Sequence, residues 1–271
     1  MQTGIAIINE HADYSTRNLM TIETLDQYFS LSGITDPIIV EAVKGLFYGL
    51  QTDGLWSKAY AVYPLAGATA TSQRYSIKDT ADNVITWVND APGAHTVLGY
   101  TASVAPRYGE YVFPFSGAPN ISLGVYNSTN AQTSGHQAMA KLAPDNDNRI
   151  YIGRYISSVT QVNMGRSTTN PIGPGSSYTE AKKGFLCGQR INNAVTLYDE
   201  GVQIASGTDT NNFVAGTRGY LGISDPQNGT SANRWAFNEP IGFNWVGSGL
   251  TPHEHALLNA RVVAYCTAVG R

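Results

Sequence analysis

The chain has 271 residues, 17 Lys+Arg against 20 Asp+Glu, and a formal net charge of −3, so no excess of positive charge draws it to nucleic acid and no run of Lys or Arg stands ready to neutralise phosphates. Charged residues make up only 14% of the chain, well below the roughly 25% of ordinary globular proteins, while 28 glycines and 16 tyrosines indicate a turn-rich, β-rich molecule. No window approaches the roughly 20 apolar residues of a membrane span, and residues 1–18 lack the basic region and apolar run of a secretory signal.

In chain order, the opening residues show no firm periodicity. Ile22, Leu25, Tyr28 and Phe29 then support a short helix over Thr21–Ser30, closed by Gly33. A second helix has a definite start, because the Asp36 carboxylate can cap the first turn and Pro37 sits where a missing N–H costs nothing. Ile39, Val43, Leu46 and Leu50 follow at helical spacing, predicting one apolar stripe packed against a sheet. Thr52-Asp53-Gly54 ends this helix, and Ala59–Leu65, short and aromatic, reads as a first strand stopped at Pro64.

From there the pattern is strand and turn. Strands are predicted at Val84–Val88, His95–Tyr100, Glu110–Phe115, Ile121–Tyr126, Arg149–Ile156, Val159–Met164, Gly184–Gln189, Ala194–Asp199, Val202–Ala205, Gly219–Ile223, Arg234–Phe237 and Ile241–Val246. Gly, Asn and Pro between them supply the dihedral angles that turns require. A last helix begins at Thr251-Pro252-His253-Glu254, with Thr as cap, Pro at the first helical position and Glu placed to reach back to the cap. Its predicted buried face is Leu258, Val262, Tyr265 and Val269. This recurrence predicts a two-sheet antiparallel sandwich with both capped helices at its edge or end.

Several segments carry a resemblance. SGITDP (32–37), GLQTDGLWSK (49–58), AVYPLAGATA (61–70) and SIKD (76–79) resemble the entry segment of phage and prophage structural proteins with a concanavalin A-like, or laminin G-like, jelly-roll sandwich. AVTLYDEGVQIASGT (194–208) resembles the hairpin of that sandwich, and residues 234–271 resemble its closing strands and terminal helix. The resemblance covers both ends of the chain but not residues 80–190. It implies a mainly β protein organised as a helical N-terminal extension over residues 1–55 and a sandwich over 56–271 that includes a terminal helix over 251–269.

Chemistry is sparse. Glycanases on this sandwich carry two Glu and an Asp in a Glu-x-Asp-x-x-Glu run, because hydrolysis needs an acid and a nucleophile on opposite sides of the sugar. That run does not occur, and Asp199-Glu200 are adjacent, so they suit a hairpin turn rather than one substrate. His253 and His255 are two apart, whereas a zinc helix needs two histidines four apart on one face, so a polar, solvated first turn is expected. Asp145 and Asp147 offer hard oxygen ligands of the kind some laminin G-like sandwiches use for calcium, yet the Gly and distal Glu of a known loop type are missing, and a tight connection explains them as well. Cys187 and Cys266 are expected to be buried free thiols. No cofactor is expected.

Tyrosine remains as a lead, since it joins apolar area to a polar tip and suits interfaces and sugar faces. Trp87, Trp235 and Trp245 lie in strand-like runs where alternation sends some side chains outward, which makes them candidate contact anchors together with Tyr126 and Tyr178. Two functional classes follow. In the first, favoured by the resemblance, the chain is a non-enzymatic virion protein of a head, fibre or tail. Its partners would then be other virion proteins, further copies of itself and a host-surface glycan, without nucleic acid or membrane insertion. In the second it is a carbohydrate-binding module or a degraded glycanase.

Overall fold

A computed structural model describes residues 24–102, 107–112, 120–130, 138–141, 149–156, 159–165, 172, 183–209, 218–222 and 239–271. Helix α1 covers residues 24–32 and ends at Gly33, whose φ of 67° is in the left-handed region. Helix α2 (Pro37–Thr52) starts as its sequence predicts, with Asp36 Oδ1 accepting from the Ile38 and Ile39 N–H groups at 2.8 and 3.5 Å. A 3-10 turn (Leu55–Lys58) leads into the strands: β1 (Ala59–Tyr63), β2 (Thr86–Val88), β3 (His95–Thr96), β4 (Gly99–Tyr100), β5 (Tyr108–Val112), β6 (Asn120–Asn127) and β7 (Ala138–Lys141). The remainder are β8 (Arg149–Ile156), β9 (Val159–Gly165), β10 (Gly184–Ile191), β11 (Ala194–Asp199), β12 (Val202–Thr208), β13 (Arg218–Leu221) and β14 (Ile241–Gly247), followed by helix α3 (Pro252–Ala268).

Two sheets form, and every described pairing is antiparallel. The larger runs β12-β11-β10-β6-β14-β4-β3, with β1 also on β14; the smaller runs β2-β5-β13-β7-β8-β9. This is the predicted jelly-roll-type sandwich. Its first core lies between the sheets and includes Tyr63, Tyr100, Tyr111, Leu123, Val125, Ile152, Leu186, Leu197, Leu221 and Val246. A second core lies on the opposite face of the larger sheet, where Tyr126, Phe185, Cys187, Phe243 and Trp245 meet Leu25, Tyr28, Val43, Leu46, Phe47, Leu258, Val262 and Tyr265 of the helices. The helices therefore cover a sheet face, rather than sitting at the edge or end as expected. With both faces covered, β14 is buried along its whole length, as a central strand between two layers must be.

Differences from the sequence reading have local causes. The predicted strand His95–Tyr100 is a hairpin of two two-residue strands that turns at Val97-Leu98, with Gly99 leaving the turn at a φ of 122°. Strand β7, Ala-Met-Ala-Lys, has no β-forming bias of its own and is held by register with β13 and β8 on either side. The Glu200-Gly201 connection between β11 and β12 takes φ values of 50° and 80°, the two-residue turn that the acidic-Gly pair predicts. The region Arg234–Phe237 lies outside the described residues.

Helix α3 carries the full capping box: Thr251 Oγ1 accepts from the Glu254 N–H at 3.3 Å, and the Glu254 carboxylate accepts from the Thr251 N–H at 2.7 Å. Glu254 also meets Lys58 at 2.7 Å, which ties the helix start to the 3-10 turn. Thr251→Ala removes the cap and is expected to cost about 1 kcal/mol, read as a fall in Tm of about 3 °C. An unchanged Tm would show that the Lys58 pair alone holds this end.

Candidate glycan-binding face

Because helices cover the larger sheet, the outer face of the smaller sheet is the sheet surface that no described helix covers. Its central strands read Tyr-Gly-Glu-Tyr-Val (β5) and Arg-Gly-Tyr-Leu (β13), and alternation divides each between two faces. Tyr111 and Leu221 point into the inter-sheet core. Tyr108, Glu110, Val112, Arg218 and Tyr220 fall on the outer face. Glycine at 109 and 219 is what lets the inner side chains fit: a Cβ at 109 would come within 2.7 Å of Ile85 and Trp87, and one at 219 would strike the Tyr111 ring.

On the outer face Tyr220 is 6% exposed, and Tyr108 meets it edge-to-face with ring centroids 5.7 Å apart while remaining half-buried. Beside them Arg218 Nη1 pairs with Glu110 Oε1 at 2.8 Å. Burial raises the Tyr108 phenol's pKa, helped by the Glu110 charge and opposed by Arg218. The Tyr220 phenol is pushed up to about 12, by burial first and Glu110 second. Both phenols therefore stay protonated and can donate hydrogen bonds near neutral pH, next to a carboxylate that accepts and a guanidinium that donates. A propped aromatic ring flanked by polar groups can stack on the apolar face of a sugar and bond its hydroxyls.

The predicted contact anchors fall elsewhere. Trp245 is fully buried beneath the helices, its Nε1 donating to Ser122 Oγ at 2.8 Å, so it is not a contact residue. Tyr126 is on strand β6, as predicted, but is 3% exposed in the same core; Asn127 beside it is 4% exposed. Both corrections have one cause: alternation sends these side chains off the larger sheet, but a helical layer receives them. Trp87 keeps part of its surface, yet its Nε1 donates to Ala70 O at 2.8 Å and its ring lies 4.3 Å from that of Tyr100 and 4.6 Å from that of His95. It closes the edge of the core. Trp235, Tyr178, Asp145 and Asp147 lie outside the described residues.

Around Trp87 the groups form a latch. The Gln73 amide nitrogen donates to Thr96 O at 2.9 Å, so its oxygen faces His95 Nδ1 at 2.8 Å; His95 Nε2 faces Asp90 Oδ1 at 3.1 Å. Burial lowers the His95 pKa, with Asp90 pulling it up. These bonds pin the turn that carries Asp90 over the sandwich edge.

His255 departs from the expected solvated first turn: it is 1% exposed, stacked on Tyr198 with ring centroids 3.6 Å apart, and neither ring nitrogen has a partner. Position 255 lies one turn from Leu258 and two from Val262 on the face that α3 presents to the sheet, which overrides the polarity of the side chain. Cys187 and Cys266 are buried free thiols, as expected. Among the described residues there is no group of three or more His, Cys, Asp or Glu that could hold a metal ion, and no helix long and apolar enough to cross a membrane.

Tyr108, Glu110, Arg218 and Tyr220 were not singled out by sequence reasoning. Alternation within Tyr-Gly-Glu-Tyr-Val separates the faces, but nothing local says which face is left uncovered.

No protein-family model and no curated protein sequence matches the chain. Among solved structures, a Trypanosoma rangeli sialidase in complex with 2,3-difluorosialic acid aligns with a TM-score of 0.53 at 13% identity, covering 90% of this chain and 39% of the sialidase. Domain 4 of AbnA, a GH43 extracellular arabinanase from Geobacillus stearothermophilus, in complex with arabinotriose, aligns with a TM-score of 0.48 at 17% identity, covering 74% of this chain and 98% of that domain. The CBM40 of a Ruminococcus gnavus IT-sialidase, bound to sialyllactose, gives a TM-score of 0.39 at 10% identity over 53% of this chain and 84% of that one. At these identities the likeness concerns the fold.

Proposed function

We propose that this chain is a non-catalytic β-sandwich module that binds a glycan on the outer face of its smaller sheet, which no described helix covers. The observation that carries this reading is the Tyr108–Tyr220 pair beside the Glu110–Arg218 ion pair, on a sheet face clear of the described helices. Tyr108 acts as the platform, and Tyr220 holds its ring in place from below. The polar groups orient the sugar hydroxyls. Glycoside hydrolysis needs two carboxyl groups about 5–9.5 Å apart, whereas Glu110 is tied to Arg218 and the Glu-x-Asp-x-x-Glu run is missing from the sequence, so the module binds without turnover.

Tyr108→Ala is expected to weaken binding to a retained polysaccharide by about tenfold or more, since stacking and phenol bonding together are worth on the order of 1–3 kcal/mol. Affinity electrophoresis through gels containing single polysaccharides measures this, with circular dichroism as the folding control. A folded Tyr108→Ala chain retarded as strongly as the native one would place the site elsewhere.

A second reading is favoured by one observation, the resemblance of residues 32–79, 194–208 and 234–271 to phage structural proteins. In it the chain is a virion component, and the same face attaches the particle to a host-surface glycan. Mass spectrometry of purified particles tests it: absence of the chain from them removes the virion role without touching the binding face.

A further inference from the structure

The face that carries Tyr108 and Glu110 is supported from within by Trp87. On β5 these two residues flank Gly109, and register sets Trp87 of β2 opposite it. The Trp87 ring lies so close to the Gly109 backbone that a Cβ at 109 would come within 2.7 Å of it. Strand β2 has three residues and, among the described strands, pairs with β5 alone. Its place therefore depends on side chains: the Trp87 bond to Ala70 O, and the rings of Tyr100 and His95 packed against the indole. A contiguous line of contacts runs from the turn at Asp90 through His95 and Trp87 to Gly109, between two residues of the glycan face.

The bonds of His95 call for a proton on both ring nitrogens. The Gln73 amide nitrogen has Thr96 O at 2.9 Å and Gly67 O at 3.5 Å, which fixes the amide oxygen as the atom 2.8 Å from His95 Nδ1. Nδ1 must donate to that oxygen. Nε2 is 3.1 Å from Asp90 Oδ1 and faces a carboxylate that only accepts, so it must donate as well. A neutral imidazole has one N–H and leaves one of these contacts as acceptor against acceptor, on a side chain 7% exposed where little water reaches. The imidazolium satisfies both. Among the described residues Asp90 is the one charged group that acts on this ring. The Tyr100 phenol beside it, raised by burial and Asp90 and opposed by Arg107, stays neutral, and Trp87 and Gln73 do not titrate.

We propose that His95 is a proton-dependent positioning residue of the glycan face: its cationic form closes on Asp90, seats Trp87 under Gly109 and so sets Tyr108 and Glu110 for the sugar. The proposal rests on the glycan-binding reading and adds its regulation. Opening the turn removes the Asp90 charge but not the burial, because the ring stays packed among Trp87, Tyr100 and Gln73. The closed form thus binds the proton more tightly than the open one, and acid favours closure. Burial holds the His95 pKa below 6.5, so affinity rises as the pH falls below that value.

Affinity electrophoresis of the full chain through gels containing arabinan, xylan, mixed-linkage glucan or polygalacturonate, from about pH 7.5 to 5, tests this. Long-range proton–nitrogen NMR of the His95 ring follows its protonation in the same samples. Affinity for the retained polymer is expected to rise about fivefold towards the acid end, over the interval in which His95 takes up its second ring proton. Asp90→Asn keeps the shape but not the charge; the His95 midpoint should fall by about one unit, and most of the rise in affinity should leave this range. His95→Phe keeps a ring against Trp87 without the bonds and should bind weakly at every pH, with circular dichroism as the folding control. His255 titrates in the native chain and in Asp90→Asn alike, and cancels between them. The same affinity profile in those two proteins, or a His95 titration that does not track the affinity, would overturn the positioning role and leave the glycan face standing. Retention by no polysaccharide at any pH removes the glycan reading and the positioning role together, and a His95 midpoint that still falls in Asp90→Asn tells that failure apart from failure of the latch.

Discussion

Replacing Arg271 with alanine is expected to destabilise the fold by about 4 kcal/mol, several times what an exposed ion pair contributes. Arg271 is 4% exposed, and its guanidinium donates to Val97 O at 2.9 Å, Pro64 O at 3.0 Å, Leu65 O at 2.6 Å and Gly242 O. These carbonyls belong to the segment after β1, the β3–β4 turn and the start of β14, so one side chain pins three parts of the larger sheet's end to the end of α3. Removing it takes this donor from the buried carbonyls of Leu65 and Gly242, while Pro64 O keeps the Tyr265 hydroxyl at 2.8 Å; each lost donor is worth about 1–3 kcal/mol of desolvation, partly recovered as water enters. A urea titration should show a lower midpoint at unchanged slope, and Tm should fall by about 10 °C. Arg271→Lys keeps the charge but not the fork of donors, and recovers less than half. By contrast Arg261, 39% exposed and paired with Asp53 at 2.8 Å, should cost no more than about 1 kcal/mol. A loss at Arg271 as small as that at Arg261 would mean that the carbonyls find water without cost.

Acid should undock α3 through His255. Burial lowers the pKa of this imidazole from 6.5 to about 3, and the nearby Glu254 only partly offsets it. Between those two values the unfolded chain binds a proton that the folded chain does not, so stability rises with pH through this window. The contribution is complete above about pH 6.5 and lost as the pH falls towards 3. It amounts to on the order of 5 kcal/mol at about 1.36 kcal/mol per unit. His255→Phe keeps a ring against Tyr198 and removes two unpartnered nitrogens. The variant is expected to be at least as stable as the native chain at about pH 7 and to lose the slope between about pH 6.5 and 4. The carboxylates of Asp53 and Glu254, both held below their usual range by bonds to Arg261 and to Lys58 and Thr251, lose their contribution at lower pH in both proteins and cancel in the comparison. Urea titrations of the two proteins from about pH 7 to 4 measure the difference. Parallel curves would show that His255 is not the group that titrates.

Arg271 and His255 leave very different traces in the sequence. His255 is visible in a capped helix, but its neighbour Glu254 and the pattern Pro-His-Glu-His suggest a wet first turn. Nothing around Arg271 marks it at all, because the groups it satisfies are backbone carbonyls up to 207 positions away in the chain. Strand β7 is a similar case on a smaller scale: Ala, Met and Lys favour helix, and the chain is extended there because β13 and β8 offer ladders on both sides.

What the sequence determines by itself is whatever is decided within a few residues. Asp36 and Thr251 cap helices whose apolar stripes follow the roughly 3.6-residue helical period; Glu200-Gly201 makes a two-residue turn; Arg149–Ile156 and Ala194–Asp199 are strands with the bounds their residues predict. From those follow the mainly β class and the antiparallel pairing of strands joined by short turns. Tertiary structure alone decides which sheet face the described helices cover, and hence that Trp245 and Tyr126 are core while Tyr108 is half-buried on the outer face of the smaller sheet. It also decides that positions 141, 149 and 218 share a row. The reason is physical: alternation assigns a side chain to one of two faces locally, but the phase between strands is set by ladders that join residues far apart in the chain, Tyr220 to Glu110 among them, and the layer above a sheet is supplied by helices from the two ends of the described chain.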